Sequence, residues 1–258
     1  MSNEVSCPSS IEDFRRRKFI TDVLQTLKSG KEATVYRCAA HPRTGQAFLA
    51  LKAYRAFDQR SFHQDAMYRD GQFMRESRTS RAIRDRSAFG LGAALAQWSS
   101  REHASLRLLH RAGLAVPEPI AKTPDALLLE FIGDDEAAAP QLRCMRFDRG
   151  EAERCWTALL SWIRRALQLD LVHGDLSTYN VLWWRGQPMV IDLPQAVDAR
   201  LSSNAEYLLR RDIVGLARSF ARWGVVIDGE GIADAMWRSY ERGEIDTGST
   251  QVGHDHGA

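Results

Sequence analysis

Asp175, Asn180 and Asp192 carry the strongest chemical signal in this chain of 258 residues. The first two lie in Leu171-Val172-His173-Gly174-Asp175-Leu176-Ser177-Thr178-Tyr179-Asn180-Val181-Leu182, the third in Val190-Ile191-Asp192-Leu193-Pro194-Gln195. Transfer of a phosphoryl group from a nucleotide asks little covalent chemistry of a protein. It needs divalent ions bridging the phosphates and a group that positions the attacking oxygen. Asp175 precedes Asn180 by five residues, the spacing at which a catalytic base and a metal-binding amide share one loop. Asp192 follows Asp175 by 17 residues at the end of an apolar stretch, where it offers a hard oxygen ligand suited to magnesium. An isolated Asp and Asn would read as local turn formers. The apolar strands around them and the downstream Asp192 favour chemistry.

Two more charged residues fit that chemistry. Lys52 follows Ala50-Leu51 in strand-like text, and Glu102 falls on the apolar stripe of a helix. An unpaired carboxylate is costly to bury there, so Lys52 is its natural partner and, once paired, a holder of nucleotide phosphates. Ser29-Gly30-Lys31-Glu32-Ala33-Thr34-Val35-Tyr36 has neither G-x-G-x-x-G nor Walker A spacing. Its one glycine leaves a tight turn whose amides can approach phosphate oxygens, and Lys31 adds positive charge. Taken alone, the segment reads equally well as an ordinary hairpin turn.

The elements that must position these residues follow from periodicity. Phe19 to Tyr54 is strand-like, with turns at Ser29-Gly30 and His41-Pro42-Arg43-Thr44-Gly45. Residues from about 58 to 92 are Arg-, Asp-, Ser- and Gln-rich and read as a long mobile insertion, a solvated substrate or regulatory loop. Leu95, Trp98, Glu102, Leu106 and Leu109 share one helical face, closed by Gly113 and by Pro117 and Pro119. Leu127 to Ile132 is a buried strand, and Gly133-Asp134-Asp135 a hinge. Trp156, Leu159, Leu160, Ile163 and Leu167 mark a second helix; Leu209, Ile213, Leu216, Phe220 and Trp223 mark a third. The expected organisation is a tail or capping helix at 1–20, a strand-rich lobe at 21–132 that includes the insertion, a mainly helical lobe at 133–242, and a disordered tail at 243–258. The fold class is α+β, with a nucleotide cleft between two lobes.

Composition sets the outer bounds. A hydrophobic fraction of 44% and seven Trp can build a sizeable core, and a formal charge of +2 does not argue for a nucleic-acid or membrane partner. No apolar run approaches the ~20 residues that span a bilayer, and no apolar signal core follows Arg15-Arg16-Arg17-Lys18. A cytoplasmic protein with no membrane partner is expected. Cys7, Cys38, Cys144 and Cys155 lack metal-ligand spacing and read as small apolar fillers in a reducing compartment. His254 and His256 read as part of a solvated tail. The chain uses 30 Arg against five Lys, 35 in total, so Lys31 and Lys52 stand out as positions that require a compact ammonium.

Ser29-Gly30-Lys31-Glu32-Ala33-Thr34-Val35-Tyr36, Ala50-Leu51-Lys52, Glu130-Phe131-Ile132-Gly133, His173-Gly174-Asp175-Leu176-Ser177-Thr178-Tyr179-Asn180 and Ile191-Asp192-Leu193-Pro194-Gln195 together resemble the RIO family of atypical serine/threonine protein kinases. The resemblance runs from about Leu27 to about Trp223 and includes Tyr68-Arg69-Asp70-Gly71-Gln72-Phe73 and Val116-Pro117-Glu118-Pro119. It implies a trimmed, bilobal protein-kinase-like fold without the usual activation segment or substrate-binding helices. It implies Asp175 as catalytic base, Asn180 and Asp192 as metal ligands, and Lys52 with Glu102 as the phosphate-anchoring pair. Ser29, Gly30 and Lys31 would cover the phosphates, Glu130 and Ile132 would offer hinge backbone groups to adenine, and Val35 and Leu182 would sandwich the base. Asp212 would brace the catalytic loop.

The cofactors so implied are ATP and Mg2+, with Mn2+ able to substitute. The partner is an unknown protein substrate; RNA or a ribosomal particle is a further partner that the charge does not support. No winged-helix text precedes the region, which favours the first RIO subfamily, although its usual Ala and Ser-Gln are here Gly174 and Pro194-Gln195. A long Lys-rich tail is lacking, which weighs against ribosome maturation. Two rival uses of the same residues are an ATPase-type switch through a phosphoaspartate at Asp192 and a small-molecule kinase of the aminoglycoside or choline type.

Overall fold

The computed structural model describes residues 9–55 and 88–245. Helix α1 (Ser9–Arg16) leads into three strands, β1 (Ile20–Ser29), β2 (Ala33–Ala40) and β3 (Phe48–Tyr54). Helix α2 (Ala88–Arg111) follows, then β4 (Pro119–Lys122) and β5 (Ala126–Glu130). These five strands form one antiparallel sheet in the order β1-β2-β3-β5-β4. Its outer face is closed by α1, whose Ile11 and Phe14 pack on Ile20, Cys38, Leu49, Leu51 and Leu128. Full burial of Phe14 alone is worth roughly 1.5–3 kcal/mol, so α1 is a lid on the sheet.

The α2 stripe forms as the spacing predicts: Trp98, Glu102, Leu106 and Leu109 are all buried. Its stop has a defined geometry. Leu114 N–H reaches back to Leu109 O and Gly113 N–H to His110 O, with Gly113 at φ 74°, a left-handed cap that glycine adopts without steric cost. The helix begins at Ala88, inside the stretch read as insertion, so residues 88–92 are helical. The glycines at 90 and 92, poor helix formers, hid this first turn in the sequence. The rest of the expected insertion, 58–87, lies outside the described residues.

Beyond Gly133 the chain is mainly helical: α3 (Arg149–Gln168), α4 (Ala205–Phe220) and α5 (Gly229–Glu241) surround two small hairpin-like pairs. Strand β6 (Leu171–Val172) pairs with β9 (Val197–Asp198), and β7 (Val181–Trp184) with β8 (Gln187–Val190). Helix α3 opens with a capping box in which Asp148 and Glu151 satisfy each other's backbone N–H groups at 2.8 and 3.0 Å. Its predicted face, Trp156, Leu159, Leu160, Ile163 and Leu167, is buried in the main core together with Leu209, Ile213, Leu216 and Phe220 of α4.

Two details depart from the pattern reading. Trp223 belongs to a short 3-10 turn, Ala221–Trp223, rather than to α4. Gly243, Glu244 and Ile245, expected in the tail, are held by the fold: Gly243 and Glu244 bond back to α5 and Ile245 packs on the core, its carbonyl accepting from Gln168 Nε2 at 2.7 Å. Residues 246–258, with His254 and His256, lie outside the described residues.

Candidate active site

A cavity of about 750 Å3 opens between the sheet and the helical part, a size that fits a nucleotide-scale ligand. Its roof comes from β1, β2 and the turn between them, including Gly30, Lys31 and Val35. Its back holds Ala50 and Lys52 of β3 together with Asp192, and its floor holds Leu182 and Ile191. Glu130, Phe131 and Ile132 form the side.

Lys52 sits at the centre because β3 is flanked by β2 and β5 and the position is 8% exposed. Its Nζ donates to both oxygens of Glu102 at 2.8 Å and to Asp192 Oδ1 at 2.5 Å. Burial alone would push the ammonium pKa down; Asp192 and Glu102 overcome it and raise it above the ordinary lysine range. Glu102, 1% exposed, also accepts from Leu193 N–H at 3.2 Å and from the Tyr54 hydroxyl. A buried carboxylate with that many donors is satisfied rather than strained. Burial, and then Glu102, push the Tyr54 phenol well up, so it stays protonated and donating. Tyr54 is a residue the sequence reading missed; its place two positions after Lys52, on the same face of the strand, was the available signal.

The floor is built differently. Asn180 Nδ2 donates to the Asp175 carbonyl at 2.9 Å and to Asp175 Oδ2 at 3.0 Å. Its own carbonyl accepts from Ile191 N–H at 2.9 Å, which ties the loop to the strand that delivers Asp192. His173, 3% exposed, accepts from Asp175 N–H at Nδ1 (3.2 Å) and contacts Ile191 O through Nε2 (3.2 Å). An accepting Nδ1 requires a donating Nε2, so the ring is neutral, and burial holds its pKa down at about 4. Asp212 accepts from Gly174 N–H at 2.8 Å, and Arg211 donates to the Gly174 carbonyl. Burial pushes the Asp212 carboxyl up to about 7. Asp212 thus braces the loop as expected, while His173 and Arg211 are supports that motif reading did not assign.

Asp175 is exposed, and its carboxyl is raised first by burial of its surroundings and then by the nearby Asp192 charge. At Asp192 burial pushes the same way, but Lys52 wins and holds the carboxyl below its ordinary value. Asp192 has φ 69°, a left-handed backbone that costs a non-glycine residue about 1 kcal/mol or more. Such strain at a cleft carboxylate aims the side chain, 35% exposed, toward the cavity.

The structure brings Lys52, Glu102, Asp192, Gly30, Lys31, Val35, Glu130, Ile132 and Leu182 around one cavity, with Asp175 and Asn180 beside its floor. Ser29 is the exception. It does not line the cavity, and its hydroxyl accepts from Arg55 Nη2 at 2.6 Å on the exposed side, because strand alternation turns it away. At the side wall, Glu130 N–H donates to Glu118 O and Ile132 O accepts from Ala139 N–H, so those two groups are spent within the fold. The glycine after Ile132 is required by space: a Cβ on Gly133 would lie 2.4 Å from Ala137 O and 2.9 Å from Ala138 Cα.

Among the described residues no three His, Cys, Asp or Glu side chains gather as a metal cage. That fits magnesium, which takes one or two protein oxygens and completes its shell with phosphate and water. Asp192 and the amide oxygen of Asn180, whose nitrogen is already committed to Asp175, are the hard donors of the right type.

The family model of the RIO domain matches residues 34–230. This chain belongs to the RIO family. Among its relatives, serine/threonine-protein kinase RIO1 of Chaetomium thermophilum is 32% identical over 220 residues, 81% of this chain and 41% of that protein. The RIO-type serine/threonine-protein kinase Rio1 of Haloferax volcanii is 32% identical over 206 residues, covering 80% and 66%. The RIO chain thus spans well under half of the first relative and about two thirds of the second. The Rio2 kinase of Chaetomium thermophilum, solved as an ADP/Mg2+-phosphoaspartate complex, superposes with a TM-score of 0.64 over 92% of this chain and 73% of that one, at 20% identity. That likeness establishes the bilobal, kinase-like α+β RIO fold. Among the described residues no helix is long and apolar enough to cross a membrane.

Proposed function

We propose that this RIO chain is an ATP- and magnesium-dependent serine/threonine protein kinase of the cytoplasm, able to phosphorylate itself. One observation carries the reading: Lys52 joins Glu102 and Asp192 in one cluster at the back of the cavity, with Asp175 and Asn180 hydrogen-bonded at its floor. Val35 and Leu182 hold the adenine between them, and the side wall from Glu130 to Ile132 borders its edge. Gly30 and Lys31 cover the phosphates, and Lys52, steadied by Glu102 and Tyr54, fixes them. Asp192 and the Asn180 amide oxygen would hold magnesium, which would supply positive charge against the charge that develops on the phosphates; manganese would serve in its place. The lobes meet at Ile132 and Gly133.

Asp175 takes the proton of the acceptor hydroxyl. The hydroxyl oxygen forms a bond to the γ-phosphorus as the bond from the β–γ bridging oxygen breaks, and ADP leaves. A carboxyl raised by burial and by Asp192 is a better base near neutral pH than an ordinary aspartate. The bonds from Asn180 and from the His173-anchored backbone fix where that carboxylate stands.

Incubation with γ-labelled ATP and magnesium tests this directly. Acid-stable label on serine or threonine is expected. A hydroxylamine-labile label that disappears in Asp192→Asn would instead favour an ATPase switch through a phosphoaspartate. Phosphorylation of choline or an aminoglycoside with no labelled protein would overturn the protein-kinase reading.

A further inference from the structure

Lys31 is the cation that the turn sequence singles out, yet a second one, Lys28, lines the same cavity. Lys28 stands opposite Val35 in the β1–β2 ladder. Directly paired residues of antiparallel strands share a face, and Val35 and Lys28 both line the cavity. The ladder is irregular between Thr26 and Lys28, and beyond that irregularity consecutive residues, Leu27 and Lys28, both border the cavity. Bulges re-aim side chains in this way beside active sites.

Lys28 is exposed, and among the described residues no carboxylate forms an ion pair with it, whereas Lys52 is held by two. Lys28 lines the same cavity as Gly30, Lys31, Lys52 and Asp192, so it borders the end of the cavity assigned to the transferred group. Lys52 already compensates two carboxylates, so Lys28 and Lys31 of the roof supply the positive charge left for a triphosphate.

We propose that Lys28 binds the terminal phosphate and makes the cavity distinguish ATP from ADP. The inference rests on the ATP reading above. The γ-phosphate is the group that differs between the two nucleotides, and a charge-assisted bond to it is absent with ADP.

Calorimetric titration with magnesium present, using ADP and the β,γ-imido analogue of ATP, tests it on wild type, Lys28→Ala and Lys28→Arg. In Lys28→Ala the analogue should bind about tenfold more weakly while ADP affinity changes less than about twofold. Retained ADP binding shows that the variant is folded. Lys28→Arg should restore most of the loss, because the guanidinium keeps the charge. Equal weakening for both nucleotides, or weakening of neither, would overturn the role of Lys28 and leave the ATP cavity standing. A wild type that binds neither nucleotide would overturn the ATP reading and this inference with it.

Discussion

The back and the floor of the cavity solve the same problem by different means. The floor is held by bonds between side chains and backbone that are mostly close along the chain: Asp175 to His173 spans two residues, Asn180 to Asp175 five, His173 to Ile191 eighteen. The back is held by side-chain charges that lie far apart in sequence. Lys52 meets Glu102 across 50 residues and Asp192 across 140, and Glu102 meets Leu193 across 91. Short loops close at little entropic cost, and each doubling of loop length adds only about 0.6 kcal/mol. The larger distinction is electrostatic. The floor holds its one acting carboxylate, Asp175, at an exposed position beside a neutral His173, while the back commits ions to a buried site where losing one partner strands the other.

That difference predicts the largest stability effect at the back. Lys52→Met leaves the buried Glu102 carboxylate with Tyr54 and Leu193 as its remaining donors among the described residues. It should cost roughly 3–5 kcal/mol, the range for stripping one partner from a buried pair. Adding Glu102→Gln should return much of the loss, read as a coupling energy in a double-mutant cycle by denaturant unfolding. A single-variant loss under about 1 kcal/mol would show that the back is held mainly by packing.

The floor should reveal itself through pH. His173 stays neutral when folded, its pKa held at about 4 by burial against 6.5 ordinarily. Below the ordinary value the unfolded chain binds a proton that the folded chain refuses, so this group's contribution is lost as pH falls toward about 4. Asp212 has the opposite sign. Burial raises it from 3.8 to about 7, so the folded chain keeps a proton that the unfolded chain releases. Its contribution is present at low pH and is lost as pH rises toward about 7. Each amounts to something on the order of 3 kcal/mol over its window, and in the wild type they oppose each other. His173→Gln should therefore lose stability with rising pH, and Asp212→Asn with falling pH. Parallel pH profiles for the two variants would contradict the assigned charge states.

The smallest effect concerns thiols. Cys144 is exposed and borders the cavity, whereas Cys38 and Cys155 are buried, and burial pushes the Cys155 thiol up to about 12. In a Cys7→Ser background, iodoacetamide should modify Cys144 first, and nucleotide with magnesium should slow it severalfold. Modification of Cys155 at a comparable rate would show that the helical core opens more readily than its packing implies.

Much of this was legible in sequence because its signals are local. Asp175, Asn180 and Asp192 announce themselves by spacing, and Leu106, Leu109, Leu159 and Ile163 by helical period. Helix α5 was not read because Gly229 and Gly231 in its first turn look like loop text, although Ala233 and Met236 are buried and Ile232, Trp237 and Tyr240 pack on the core. The orientation of Ser29 was misjudged because strand alternation depends on a register that turn text does not reveal. Tyr54, His173 and Arg211 share a different reason. Each acts through a partner many positions away or through backbone groups, and such partners become visible only when the chain is folded.

On the proposed reading, Asp175 performs transfer within a cavity that binds nucleotide without its help. Single-turnover transfer from labelled Mg·ATP, measured beside analogue affinity in wild type and Asp175→Asn, tests it most directly. Transfer should fall by about 10²–10⁴-fold while affinity stays within about twofold. Equal transfer rates in the two proteins would contradict the claim.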